Sequence, residues 1–245
     1  MDHDDPDIAA LFAPLEPAKA FGVVLSEANK VLSHVREPIE AELWGSDMIG
    51  ALSASAADCE ATMTALTTTL VPAAEETATA EALALLRIFG ALGSPGLRAA
   101  ATEAAQRVAA LGVPDPAWAA TIGAPAVGKC WHYGDVGGRQ ESVTMSFAYG
   151  DTEHALSLLV DHGKGGRIKD AWVGDAAGLL DRTWLAVESD PLVVFDVIDA
   201  ADARDRLERA IKAGECPGKP DEADDIRAHR ALLHARLNLM AEQQP

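Results

Sequence analysis

The stretch Gln140 to Val173, QESVTMSFAYGDTEHALSLLVDHGKGGRIKDAWV, restricts the fold of this chain more than any other. From Ser142 to Tyr149 the alternation is unbroken: Val143, Met145, Phe147 and Tyr149 fall on one side of an extended chain, Ser142, Thr144, Ser146 and Ala148 on the other. That is the period of a half-buried strand. Gly150-Asp151 supplies turn residues that tolerate positive φ, and a second run, His154 to His162, places Leu156, Leu158 and Val160 on one face. Gly163-Lys164-Gly165-Gly166 marks another hairpin, and Ile168 to Val173 returns as a third strand. Connections this short join antiparallel neighbours, so the stretch predicts a meander.

Upstream the period changes to that of helices. Phe21, Val24, Leu25, Ala28, Leu32 and Val35 share one helical face, and Ile39 to Leu52 reads as a shorter helical piece interrupted by Gly45. Ser53 or Ser55 can cap a third helix, carrying Met63, Leu66 and Leu70, that stops before Pro72. Glu75 to Leu92 is a further helix with Ala82, Leu85, Leu86, Phe89 and Leu92 on one stripe. Ser94-Pro95 opens another, with Leu97, Ala101, Ala104, Val108 and Leu111, which Gly112 and Pro114 end. These helices show no repeating period, so a solenoid is not predicted.

Three of the thirteen prolines fall in VPDPAWAATIGAPAV, Val113 to Val127, which reads as a linker. The predicted division is a helical domain over 1–113, a linker over 114–126, a sheet domain over 127–215 and a C-terminal loop and helix over 216–245. Within the sheet domain, Lys129 to Tyr133 forms a first strand and the meander follows. Asp175 then caps a helix with Leu179, Leu180, Trp184 and Val187, Leu192 to Phe195 is a strand, and Asp199 caps a helix to about Ala213. The order β-β-β-β-α-β-α gives an α+β fold, an antiparallel sheet with helices on one face. Its core should hold Val143, Met145, Phe147, Leu156, Leu158, Val160, Val194 and Phe195. In the last helix, Glu222 to Ala241, Ile226, Leu233, Leu237 and Met240 line up, but Arg230 interrupts them, and the pattern leaves open what the helix packs against. His229, Arg230, His234 and Arg236 suit a helix C-terminus through the macrodipole.

With 49% hydrophobic and 24% charged residues among 245, the chain can bury one large core or two modest ones. No apolar run approaches the roughly 18 to 20 residues of a membrane span. The start, MDHDDPD, is acidic where a signal peptide is basic and then apolar. A cytoplasmic location is expected. The three cysteines, Cys59, Cys130 and Cys216, are far apart and odd in number, which argues for reduced thiols rather than a disulfide framework or cysteine-rich zinc site. A formal charge of −18 repels phosphate backbones and anionic headgroups, so neither a nucleic acid nor a membrane is an expected partner.

His132, Asp135, His154, Asp161, His162 and Asp170 cluster in sequence. Yet His154 and His162 are separated by eight residues of strand, roughly 26 Å at ~3.3 Å each. Asp161 and His162, as strand neighbours, point to opposite faces. No metal site and no cofactor are predicted. Cys130 and His132 share a strand face about 7 Å apart at Cα, but a small buried thiol is the plainer reading of Cys130. Asp225 and His229 form an i, i+4 helix pair. The motifs of serine hydrolases, zincins, Walker loops and dinucleotide folds are all missing from the sequence. The turn Gly163 to Arg167 can form a nest of backbone N–H groups, making Lys164, Gly165, Gly166 and Arg167 the candidate anion site. It leads into a strand, however, where a phosphate loop leads into a helix.

The alanine-rich helices ending in LGVPDPAWAA, with ESVTMSFAYGD and EHALSLLVDHGKGGRIKDAWVGD after them, resemble a group of uncharacterised cytoplasmic proteins from high-GC actinobacteria. The resemblance covers the second half of the chain and the preceding helical hairpin. It implies a helical N-terminal region with an α+β C-terminal domain and transfers no catalytic residue. The functional expectation is a protein-interaction or regulatory module, with a protein partner or self-association. The alternative is a small hydrolase or anion-binding enzyme drawing on His132, Asp161, His162 or Asp170 near the 161–170 hairpin.

Overall fold

A computed structural model describes residues 17–55, 59–214 and 224–243. The acidic start Met1 to Asp7, Cys216 and the loop prolines Pro217 and Pro220 lie outside the described residues. The chain divides into two compact units. One comprises Met1–Gly123 with Arg230–Ala235, the other Ala124–His229 with Arg236–Pro245.

The first unit is helical: α1 (Pro17–Val31), α2 (Pro38–Ser55), α3 (Cys59–Ala65), α4 (Val71–Thr77), α5 (Ala80–Leu92) and α6 (Pro95–Ala110). In α5, eight of thirteen residues are buried, Leu83, Ala84 and Ile88 in addition to the predicted stripe. A helix apolar nearly all round belongs at the centre of its bundle, and α1, α2, α4 and α6 all pack against α5. The helix predicted to end before Pro72 continues instead. Leu66–Leu70 forms a π turn in which the Val71 N–H bonds to the Leu66 carbonyl, so Pro72 re-enters in the first turn of α4, where its missing N–H costs nothing. Ala78, left-handed at φ 48°, closes α4, and the Thr79 hydroxyl caps α5 by accepting from Ala82 N–H at 3.2 Å.

Gly45 does not interrupt α2. It lets two helices approach: a Cβ there would run into the Ile88 side chain of α5. Replacing Gly45 by Val should therefore lower stability by about 1–3 kcal/mol, the usual cost of overpacking. Urea unfolding of the variant measures this, and an unchanged midpoint would disprove the close approach.

The proline-rich segment read as a linker is bonded to the helices of the first unit as far as Gly123. Arg87 binds the Asp115 carboxylate bidentately at 2.8 and 2.9 Å, Trp118 is buried in a 3₁₀ turn (Ala117–Ala120), and Gly123 N–H donates to Glu42 at 3.1 Å. Prolines and small residues signalled a loop, but the indole of Trp118 has enough apolar surface to hold that loop to the helices.

The second unit contains β1 (Ala126–Asp135), β2 (Gln140–Tyr149), β3 (Thr152–Asp161), β4 (Arg167–Gly174), α7 (Ala176–Ser189), β5 (Val193–Ile198) and α8 (Ala200–Gly214); α9 (Asp224–Glu242) contributes residues to both units. The fold is α+β, and its sheet is antiparallel in the order β4-β3-β2-β1-β5. The predicted alternation sets the register: Val143 lies opposite Leu158, Met145 opposite Leu156 and Phe147 opposite His154.

Helices cover both faces of the sheet rather than one. Ala176 and Leu179 of α7 pack with Trp131, Ala155, Trp172 and Phe195. The opposite face, that of Val143 and Met145, receives α8 through Ala203, Leu207 and Ala210. Thr144 and Ser157, on the first face, are buried and share a 2.8 Å hydroxyl hydrogen bond, which is how a strand patterned as half-exposed tolerates cover on both sides. Val194 and Phe195, predicted in the core, lie instead on the edge strand β5. Val194 is 41% exposed and Phe195 is half-buried against Trp184, their ring centroids 4.5 Å apart. An apolar run alone cannot distinguish an edge strand from a central one.

Candidate functional site

Glu141 opens β2 on the face that carries Val143 and Met145, a carboxylate where the alternation calls for an apolar residue. Directly opposite is Gly134 of β1, and a Cβ there would lie 3.1 Å from the Glu141 Cα, so this crossing requires glycine. The Glu141 carboxylate, 15% exposed, gathers its surroundings. Its Oε1 lies 3.0 Å from His162 Nε2, just beyond β3, and its Oε2 accepts from Arg206 Nη1 of α8 at 2.7 Å. His132, two residues before Gly134 and hence on the same face, brings Nδ1 to 3.7 Å from Glu141 and Nε2 to 3.5 Å from Asp196 of β5. Arg206 Nε also donates to Asp202 at 3.1 Å, and its hydrogen bonds with Asp202, together with the Glu141 charge, raise its already high pKa.

Of the predicted candidates, the structure thus joins His132 and His162 through a residue that sequence reasoning passed over. Glu141 was detectable as a charge at apolar parity; Arg206, flanking the Ala203, Leu207, Ala210 stripe, gave no such signal. Chemically, the cluster is two imidazoles beside one carboxylate, whose negative charge is offset by a guanidinium. Because Arg206 ties α8 to the sheet through a charge-assisted bond, Arg206→Ala should cost about 1.5–3 kcal/mol in thermal or urea unfolding. A loss below 0.5 kcal/mol, the ordinary scatter of a surface substitution, would mean the bond is not held in solution.

The other candidates are engaged locally. Asp161 is buried; one carboxylate oxygen accepts from Lys164 N–H at 3.1 Å and the other from Gln140 Nε2 at 3.1 Å. Asp170 accepts from the N–H of Ala171 at 2.9 Å. In the glycine-rich turn, Gly165 and Gly166 have φ of 85° and 74°, as a nest requires, but its donors are already engaged. His162 and Gly163 N–H bond to the Arg139 carbonyl, Lys164 N–H to Asp161, Gly165 N–H to the His162 carbonyl and Gly166 N–H to the Asp161 carbonyl. Lys164 is exposed, while Arg167 is half-buried as the strand partner of Asp161. Any anion there would have to be held by side chains.

Burial, with Asp199 adding to it, pushes the Cys130 thiol up to about 11, so the group is protonated at neutral pH and is no nucleophile for His132. Among the described residues, no group of three or more His, Cys, Asp or Glu is placed to hold a metal ion. His229 titrates below its ordinary value because it is buried, Asp225 opposing the shift in part.

Arg236, assigned from sequence to the macrodipole, is buried in the second unit. Its guanidinium lies 5.1 Å from the Phe147 ring centroid and 5.8 Å from that of Tyr149, and Nη2 is 3.3 Å from His154 Nε2. His154 stacks between the same two rings, each 5.8 Å away. Burial first, and the neighbouring cation second, drive the His154 pKa down to about 4.

The remaining feature of the unit is the β5 edge of the sheet, which has no paired strand on its outer side among the described residues. Val197 of β5 is 67% exposed, and Val194, Leu192, Leu185 and Trp184 are exposed with it. The opposite edge, β4, is protected by the charges of Arg167, Lys169 and Asp170 and faces a bulge between Leu159 and Val160.

No protein-family model, no curated protein and no solved structure matches the chain. Among the described residues no helix is long and apolar enough to cross a membrane.

Proposed function

We propose that this protein is an interaction module that receives an extended segment of a partner along β5. One observation carries the reading. β5 ends the sheet, and its outer side has no paired strand among the described residues, while Val194 and Val197 project exposed apolar side chains from its two faces. An edge strand with free backbone groups is a template for strand addition, in which main-chain bonds supply affinity and alternate side chains supply selectivity. Trp184 and Leu185 extend the apolar surface on the side of Val197, where they would flank an added strand.

The Glu141 cluster has a structural role in this reading, holding α8 on the sheet face formed by β1, β2 and β4. A display library of random dodecapeptides, selected on the wild type and in parallel on a Val194→Ser, Val197→Ser double variant, tests the proposal. Peptides should enrich on the wild type only. Equal recovery on both proteins would overturn it.

A further inference from the structure

Resting on the strand-addition reading, the charge around β5 identifies the partner's chemistry: we infer that the segment received there is cationic as well as apolar, with Lys or Arg placed opposite Asp196. From Asp175 to Ala200, the chain that forms α7 and β5 carries six carboxylates and one cation, Arg182. Asp181, Glu188, Asp190, Asp196 and Asp199 are all exposed. Asp196 lies in the middle of β5, its side chain 71% exposed, between Val194 and Ile198 on the same face. A residue directly across an antiparallel pair sits about 4.5–5.5 Å away at Cβ, close enough for an opposite charge to stabilise the pairing and a like charge to oppose it. Behind Asp196, His132 Nε2 lies 3.5 Å from its carboxylate, and Arg206, bonded to the same Glu141 that His132 approaches, already has Asp202 and Glu141 as partners. The Asp196 side chain is still 71% exposed, so its outer side is open to a cation carried by the incoming strand.

The same charges disfavour a second copy of this chain. Two β5 strands pairing about a two-fold axis perpendicular to the sheet keep each residue on its own face. Centring the axis on Phe195, Asp196 or Val197 therefore sets the two Asp196 side chains directly or diagonally across from each other. The formal charge of −18 on each copy adds long-range repulsion. A cationic, alternating segment meets neither obstacle. On one face it would set apolar, basic and apolar residues against Val194, Asp196 and Ile198; on the other, apolar residues against Val193, Phe195 and Val197.

The peptides enriched on the wild-type protein supply the test. They should carry net positive charge with apolar residues at alternate positions, bind more weakly as salt is raised, and lose at least tenfold in affinity for Asp196→Lys by fluorescence anisotropy. The same peptides resynthesised with N-methyl groups on alternate amides should not bind, because an N-methylated edge cannot join a ladder. If the enriched peptides are neutral or acidic, or bind Asp196→Lys unchanged, the cationic partner is wrong, while sensitivity to N-methylation would still uphold strand addition. If N-methylation has no effect, strand addition fails and this inference with it. A concentration-dependent dimer in light scattering, lost in the Val194→Ser, Val197→Ser variant, would make the occupant a second copy and overturn the inference.

Discussion

Between pH 6.5 and about 4 the protein should lose roughly 3 kcal/mol of stability through one buried imidazole. His154 has its pKa lowered from 6.5 to about 4 by burial between Phe147 and Tyr149 and by the adjacent Arg236. In the unfolded chain the same side chain returns to its ordinary value. Above pH 6.5 both states are neutral there and the stabilisation is fully present. Below it the unfolded state takes up a proton that the folded state refuses, and stability falls until the folded pKa is reached, after which this group contributes no further slope. A shift of about 2.5 units at 1.36 kcal/mol each gives the magnitude. Many carboxylates titrate near the lower end of the same window, so the informative quantity is the difference between the wild type and His154→Gln, whose amide oxygen can still accept from Arg236. Urea unfolding at pH 7 and pH 4.5 should show a smaller loss for the variant by about 2–3 kcal/mol. Equal losses would place the imidazole in contact with water.

Phe147→Ala should destabilise the second unit by about 3–5 kcal/mol. Phe147 is 1% exposed in the central strand β2, its ring stacked on His154 and beneath the Arg236 guanidinium. Truncation removes the transfer energy of the ring and leaves a cavity that paired strands on either side cannot close. Part of the loss belongs to the cation. A double-mutant cycle with Arg236→Met should give a coupling of about 0.5–2 kcal/mol. Phe147→Leu, which keeps much of the volume but no π face, should fall between wild type and Phe147→Ala. A total loss below 1 kcal/mol for Phe147→Ala, measured by urea unfolding, would mean that the site relaxes and that the stacked arrangement is not maintained.

The candidate site was only half legible before the structure. His132 and His162 were visible as imidazoles in a strand region, but the group that unites them, Glu141, looked like a polar residue at a strand end. Asp161 and Asp170 drew attention as carboxylates near a turn, and both bond to nearby groups that sequence could not assign to them. The glycine-rich turn shows the same limit. Its composition allowed positive φ at Gly165 and Gly166, yet whether its N–H groups faced outward depended on the Arg139 carbonyl, which arrives from the connection between β1 and β2.

What the sequence determined by itself was local and periodic. Alternation from Ser142 to Tyr149 and the turns at Gly150 and Gly163 settled a meander, because a strand's two faces and a hairpin's residue preferences are written within a few positions of each other. The 3.6-residue stripes of α5 and α6 were likewise readable, as was the strongly acidic charge. Tertiary structure alone decided that helices cover both faces of the sheet, that Pro72 follows a π turn without ending its helix, that Arg236 is buried beneath aromatic rings, and that the apolar run of β5 stands at an edge. Each of these depends on which distant segment fills the space beside a residue. Periodicity specifies the side of an element that avoids water, but the segment that covers that side is selected by packing across the whole unit.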